Sequence, residues 1–229
     1  RDQGHQVVLV APPGPYCDRL RDDGFRVVPL RMARRSLNPF AEAGVLRRLS
    51  ALYRSERPDL VHHLTIKCVV YGTLAARLAR VPAIVNAIEG LGFVFVNDAI
   101  KARILRPLVR RLMRAALDGD NVRVLLLNPD DLATVKAMGV SGHARLSVLP
   151  GSGIDVDRFR PDAGARPAGT VNVLFAGRLL YDKGLTEFVQ CAHRVRKELG
   201  TGVCFLVAGE PDPGNPASVS PDTLAQWKS

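Results

Sequence analysis

Apolar positions along this chain follow two alternating rhythms. Short unbroken runs, such as His5 to Ala11 (HQVVLVA), end in Pro or Gly and read as strands buried on both faces. Longer stretches repeat apolar residues every three or four positions and read as helices. Tyr16 to Asp23 is a helix closed by Gly24, and Arg26 to Leu30 is a strand that Pro29 places near a sheet edge. Asn38 to Arg57 carries Phe40, Val45, Leu46, Leu49, Leu52 and Tyr53 at helical spacing and stops before Pro58. A strand at Asp59 to His62 precedes a helix at Val70 to Ala79, whose small face (Gly72, Ala75, Ala76, Ala79) suits close packing. The pattern then predicts a strand at Ala83 to Ala87, a long helix at Ala99 to Leu117 and a strand at Arg123 to Leu127. A helix at Asp130 to Met138, closed by Gly139, and a strand at Ser147 to Leu149 complete this region.

Asp162 to Thr170 (DAGARPAGT) is rich in small residues and proline and reads as a linker. A fresh β-α-β unit follows: Val171 to Ala176, Leu185 to Leu199 and Val203 to Ala208. Strands alternating with helices imply an α/β protein with parallel sheets. The expected organisation is a domain over 1–150, a connection over 151–170 and a second domain begun over 171–229.

Composition narrows the function. With 47% hydrophobic and 24% charged residues among 229, the chain is neither disordered nor a collagen-like or coiled-coil fibre. Lys plus Arg number 32 against 22 Asp plus Glu, a surplus of 32 − 22 = +10, so an anionic partner is favoured. Nucleic acid is not the expected one. Aromatic residues make up only 6%, none interleave with the basic clusters, and no zinc-finger or RNP-like pattern occurs. Cys17, Cys68, Cys191 and Cys204 form no CxxC pair and have no His at zinc-finger spacing, so neither a metal site nor a disulfide framework is expected. Reduced thiols and a cytoplasmic setting fit better. The most apolar stretch, Val81 to Val96, is interrupted by Pro82, Asn86, Glu89, Gly90 and Gly92 and is too broken to cross a bilayer. Arg1 to His5 reads as the tail of a helix, and Leu224 to Ser229 stop without a turn signal, so a piece of a longer protein is expected.

Four segments can carry chemistry. In Phe175 to Gly184 (FAGRLLYDKG) a strand ends at Gly177 and a helix begins near Leu185. Ligands of open α/β sheets bind beyond the carboxyl ends of strands. There a helix N-terminus offers free N–H groups to a phosphate, and Arg178 and Lys183 add two cations. An ordinary βα loop with solvated charges is the alternative. In Val61 to Lys67 (VHHLTIK), His62, Thr65 and Lys67 form a polar rim able to meet a sugar or phosphate, or a plain structural loop. In Asn86 to Phe93 (NAIEGLGF), Glu89 is a candidate general base or sugar-hydroxyl ligand, and Gly90 shapes the loop; a surface carboxylate is the alternative. Along Lys101 to Arg114, an apolar stripe (Ile104, Leu105, Leu108, Val109, Leu112, Met113) faces six unopposed cations: Lys101, Arg103, Arg106, Arg110, Arg111 and Arg114. Basic amphipathic helices lie on anionic membranes, but the same pattern suits a core-packed helix with a solvated face. Arg31, Arg34 and Arg35 extend the basic surface.

In their order and spacing, these segments resemble a family 4 glycosyltransferase of the GT-B fold. Val148 to Phe159 (VLPGSGIDVDRF) resembles the family's entry into its C-terminal domain, and Phe175 to Gly184 matches its donor-diphosphate motif. Asp59 to Lys67 and Gly90-Leu91-Gly92 resemble acceptor-side segments. Gly209 to Pro216 (GEPDPGNP) resembles a loop of the subgroup acting on undecaprenyl-diphosphate-linked sugars.

The resemblance implies two Rossmann-like domains and transfer of a sugar from a nucleotide sugar, a UDP-sugar by preference, with retained anomeric configuration. Gly177, Arg178, Lys183 and Gly184 would bind the donor diphosphate without a bound metal or other cofactor. His62, Thr65, Lys67 and Gly90 would line the acceptor side. The acceptor would be a lipid-linked saccharide of cell-surface polysaccharide assembly, met at the inner face of the cell membrane. A non-catalytic membrane- or anion-binding remnant and a GT-B UDP-sugar 2-epimerase are the alternatives. The sequence departs from the family in three ways. Glu89 stands where many members carry a catalytic His, so no catalytic residue is carried over. The first strand with its glycine-rich loop is not found, nor is the E-x7-E segment. Without that strand the first sheet would keep unpaired edges, and the chain alone is expected to be unstable or inactive.

Overall fold

A computed structural model describes residues 3–32, 38–90, 100–140, 145–151, 153–160, 169–212, 215 and 217–228, with the backbone alone at 100–106, 201 and 228. The chain divides into two compact units, Arg1–Ile154 and Asp155–Ser229.

In the first unit β1 (Val8–Ala11), α1 (Pro15–Asp22) and β2 (Arg26–Pro29) form a small parallel β-α-β. Next come α2 (Pro39–Glu56), β3 (Leu60–Leu64), α3 (Ile66–Leu78), β4 (Ala83–Ile88), α4 (Ile100–Leu117), β5 (Val122–Leu126), α5 (Pro129–Ala137) and β6 (Arg145–Val148). Strands β3 to β6 form one parallel sheet in sequential order. Among the described residues the β1–β2 pair is a separate sheet, with β1 paired to β2 alone and β3 to β4 alone.

Local chemistry sets the element ends. Asn38 caps α2 by accepting from the Phe40 and Ala41 N–H groups, and Asn128 caps α5 through the Asp131 N–H. Gly24 and Gly139 take φ +79° and +77° after α1 and α5, a region open chiefly to glycine. The core lies between α2, α3, the second half of α4 and the four-stranded sheet. Val69, Ala75, Ala76, Ile84, Ile88, Met113, Leu117, Val122, Val124 and Leu126 are fully buried there. Phe40, counted in the apolar pattern of α2, is exposed.

Strand β1 begins at Val8 rather than His5 and β6 at Arg145 rather than Ser147, and the shifts that bear on the site lie around β3 and α3. Strand β3 runs to Leu64 rather than His62, and α3 begins at Ile66 rather than Val70. Lys67 is thus helical instead of lying in a loop, and His63 is a strand residue.

In the second unit β7 (Val171–Ala176) and β8 (Val203–Ala208) pair in parallel, joined through α6 (Leu185–Leu199) with the bounds the sequence predicts. The helix α7 (Pro221–Lys228) follows. Phe175, Phe188 and Phe205 stack with ring centroids 5.5 and 5.4 Å apart, and Leu179, Leu185 and Val219 are buried. Positions 161–168 of the expected linker lie outside the described residues, as do Arg34 and Arg35.

Candidate functional site

At the carboxyl end of β3 the residues alternate between faces: Val61 and His63 turn inward, while His62 and Leu64 are exposed. Parallel register sets His63 beside Asn86 of β4. His63 Nδ1 lies 2.9 Å from Asn86 Oδ1, which can only accept, so Nδ1 carries the proton. His63 Nε2 is then an acceptor, and the Tyr53 hydroxyl, 3.0 Å away, donates to it. Asn86 Nδ2 donates to Thr73 Oγ1 at 3.0 Å. Four buried polar side chains thereby satisfy one another without a net charge. Burial lowers the His63 pKa from 6.5, assisted by the neighbouring His62 and opposed by the Asn86 bond. Burial, with a smaller contribution from Cys68, pushes the Tyr53 hydroxyl up to about 12. Gly72 of α3 makes room for the ring: a Cβ there would sit 2.4 Å from His63 Cδ2 and Nε2.

The chain passes from β3 into α3 through Thr65, at φ 71° and ψ 152°. This region is nearly reserved for glycine, and occupying it costs a β-branched residue on the order of 1–3 kcal/mol. Thr65 is exposed, and its side chain does not cap α3. Lys67 is not a bare rim cation. Its ammonium is 2.7 Å from Glu42 Oε1, with side-chain exposures of 19% and 10%, and it lies 5.7 Å over the Tyr71 ring. Among the described residues Glu42 Oε2 is buried with no hydrogen-bond partner. Burial, then the Glu42 charge, raises the Tyr71 pKa. Glu89 and Gly90 are exposed just beyond β4, with Gly90 at φ +148°. Leu91 and Gly92 lie outside the described residues.

In the second unit, the loops after β7 and β8 are laced together. Leu179 N–H donates to Glu210 O, Val219 N–H to Leu179 O, and Tyr181 N–H to Ala217 O. Gly209 packs against Gly177 so closely that a Cβ at 209 would meet the Gly177 carbonyl oxygen at 1.8 Å. Gly177, expected to bind the donor diphosphate, therefore also takes part in this contact between loops. A cleft of about 420 Å³ opens beyond both strands, between Gly177–Arg178 and Ala208–Asp212. Arg178 is half exposed, and its NH1 is 2.7 Å from Asp212 Oδ2. Lys183 ends a short 3-10 turn (Tyr181–Lys183) and is exposed. Gly184, at φ 78°, closes that turn and precedes the first turn of α6, which no side chain caps. Lys183 and Gly184 share the loop with Arg178 but do not line the cleft.

The basic helix α4 plays a more structural role than its pattern suggests. Val109 and Leu112 pack on the core, and Met113, Ala116 and Leu117 are fully buried, so the described half of the stripe is core. Leu108 alone of that half stays open, at 55% exposure. Arg110 donates to the Ala137 carbonyl at the end of α5, and Arg77 donates to the Ala115 and Asp118 carbonyls at the end of α4. Arg111 and Arg114 line, with Arg77, a cleft of about 610 Å³ at the opposite end of the sheet from His63. The side chains of Lys101, Arg103 and Arg106 lie outside the described residues. Among the described residues no helix is long and apolar enough to cross a membrane, and no three His, Cys, Asp or Glu gather as a metal centre needs.

Pattern alone pointed to His62 and Lys67. It gave Glu42 no role, and it placed His63, Asn86 and Asp212 within candidate segments without assigning them the roles seen here. Asn86, polar in the middle of an apolar strand, was the available signal. Asp212 lies in the Gly209 to Pro216 segment that the resemblance singled out, but it is 34 residues from Arg178 and nothing in the sequence pairs the two.

The chain is 24% identical, over 98% of its length and 61% of the relative's, to N,N'-diacetylbacillosaminyl-diphospho-undecaprenol alpha-1,3-N-acetylgalactosaminyltransferase of Campylobacter jejuni. It is 28% identical, over 65% of its length and 36% of the relative's, to UDP-Gal:alpha-D-GlcNAc-diphosphoundecaprenol alpha-1,3-galactosyltransferase of Escherichia coli. It thus spans less than two thirds of either relative. A solved glycosyltransferase from Rickettsia africae matches 99% of the chain and 56% of its own, with TM-score 0.63 at 14% identity. The UDP-N-acetylglucosamine 2-epimerase of Rickettsia bellii matches with TM-score 0.53 at 16% identity, over all of this chain and 58% of its own. Both likenesses speak for the fold alone, an α/β architecture of GT-B type. Residues 1–118 match the model described as glycosyl transferase 4-like, and the chain belongs to that family.

Proposed function

We propose that this chain is part of a retaining glycosyltransferase that moves a sugar from a UDP-sugar to a lipid-linked saccharide. One observation carries the reading: the cleft beyond β7 and β8, with Arg178 at its wall and Lys183 and the uncapped start of α6 on the same loop. That set of donors suits a diphosphate. Charge develops on a leaving diphosphate, and cations held nearby stabilise it in the transition state. The names of the Campylobacter and Escherichia relatives support a lipid-linked acceptor.

In the first unit, the neutral His63–Asn86 network fixes the ends of β3 and β4, where Thr65 and Glu89 are exposed. This suits an uncharged, hydroxyl-rich acceptor sugar, with Glu89 the carboxylate available to it. The exposed Leu108 and the basic face of α4 are the surface proposed to meet the acceptor's membrane. No metal or other cofactor is invoked.

The test is a screen of UDP-sugars for transfer to an undecaprenyl-diphosphate saccharide by the enzyme of which this chain is part. A labelled glycolipid is expected, with its formation falling at least roughly 100-fold in the Arg178→Ala/Lys183→Ala chain. Free epimerised sugar, or liposome binding with no transfer that both substitutions leave intact, would overturn the reading.

A further inference from the structure

The Arg178 guanidinium is held by a carboxylate that is itself anchored. Asp212 Oδ2 accepts from Arg178 NH1 at 2.7 Å and from Asn215 Nδ2 at 3.2 Å. The Asp212 backbone N–H donates to Ser218 Oγ at 3.0 Å, and Ser218 bridges to Leu180, two residues past Arg178. Asp212 is only 17% exposed while Arg178 is 51% exposed, so the acid belongs to the wall and the base reaches into the opening. NH1 carries the one hydrogen bond of this guanidinium among the described residues.

We infer that Asp212 is a positioning residue: it fixes Arg178 so that the free Nε and NH2 edge faces a diphosphate in the cleft. An arginine offers five N–H donors in a planar fork, and one bond through NH1 leaves a two-donor edge for an anion. A free arginine must lose rotamer freedom on binding, whereas a pre-oriented one has lost it already. The arrangement also explains a puzzle of charge. A carboxylate beside an anion site repels the anion, so its presence is useful only if orientation outweighs repulsion. The inference rests on the reading of this cleft as a diphosphate site and adds to it the residue that makes Arg178 competent.

The two effects have opposite signs, which makes the test direct. Inorganic pyrophosphate is titrated calorimetrically into the 229-residue chain and its variants. Asp212→Asn removes a negative charge yet is expected to weaken pyrophosphate binding roughly threefold to tenfold, the loss of one charge-assisted bond. In an Arg178→Ala background the same substitution is expected to weaken nothing. Asn215→Ala removes one bond that anchors the carboxylate without changing charge and is expected to weaken binding in the same direction, which keeps the inference testable if Asp212→Asn does not fold. Tighter or unchanged binding in Asp212→Asn, or in Asn215→Ala where that variant is the one used, would show that Asp212 merely competes for Arg178. The positioning role would then be overturned while the diphosphate site stands. No pyrophosphate binding to the parent chain would overturn both.

Discussion

The two units place candidate chemistry at the same topological spot, beyond the carboxyl ends of parallel strands, and build it by opposite means. At β3 and β4 the polar groups are buried, neutral and mutually satisfied: Tyr53, His63, Asn86 and Thr73. At β7 and β8 they are charged and open to solvent: Arg178 and Lys183 on a loop stitched by backbone bonds to its neighbour. The difference teaches what each end can do. A buried neutral network makes a rigid floor and resists change. An exposed cation on a fixed backbone holds an anion at little cost to the fold.

The sharpest way to break this contrast is Gly72→Ala. Its methyl would meet a His63 ring held at both nitrogens, so the ring cannot step aside. The expected loss is about 3 kcal/mol of stability, read from chemical denaturation. A loss below about 0.5 kcal/mol would show that the network yields, and that the floor is not rigid.

Arg178→Ala probes the opposite pole. Pyrophosphate affinity is expected to fall roughly 10-fold to 100-fold while the unfolding midpoint stays put, because one half-exposed ion pair adds little to stability. Equal losses of affinity and stability would mean that the cation serves the fold.

Thr65→Gly is expected to stabilise the chain by about 1 kcal/mol, since relief of the strained φ exceeds the added chain entropy of glycine. It should also loosen the β3–α3 turn, seen as faster amide exchange at Ile66 and Lys67. No gain in stability would show that Thr65 is unstrained.

The gentlest probe is pH. His63 has a folded-state pKa below its usual 6.5, so the unfolded chain binds a proton more readily. Its contribution to stability is therefore fully present above about pH 6.5 and drains away as pH falls through the lowered folded value. Denaturation midpoints from pH 8 to pH 5 should fall in the parent chain and flatten in His63→Gln. A parallel fall in both would assign the dependence to other groups.

Much of the fold was legible because period and punctuation agreed. Val171–Ala176, Leu185–Leu199 and Val203–Ala208 take the bounds that pattern implied, with Gly184 and Gly200 closing the helix at either end. Strand β3 runs past the expected end at His62 because His63, polar in the sequence, is buried beside Asn86 in the sheet. The start of α3 was hidden for a related reason. Thr65 turns the chain in a conformation no threonine advertises, and Lys67 reads as solvent-facing until Glu42 comes alongside from α2. Motif spacing found Arg178 because its partners in the loop are sequence neighbours. Asp212 is brought to it only by the pairing of β7 with β8. The apolar stripe of α4 was ambiguous in principle, since a core face and a membrane face share one periodicity. Met113, Ala116 and Leu117 resolve the second half of the helix toward the core.

The central claim is that the anion site lies beyond β7 and β8 and not in the arginine-lined cleft at the far end of the first unit. Amide chemical shifts of the ¹⁵N-labelled 229-residue chain, followed as UDP is added, test it most directly. Saturable shifts at Gly177, Arg178, Lys183, Gly184 and Gly209, with Arg77, Arg111 and Arg114 unmoved, are the expected result. Shifts confined to the cleft of Arg77, Arg111 and Arg114 would contradict it, and so would a spectrum that UDP leaves unchanged.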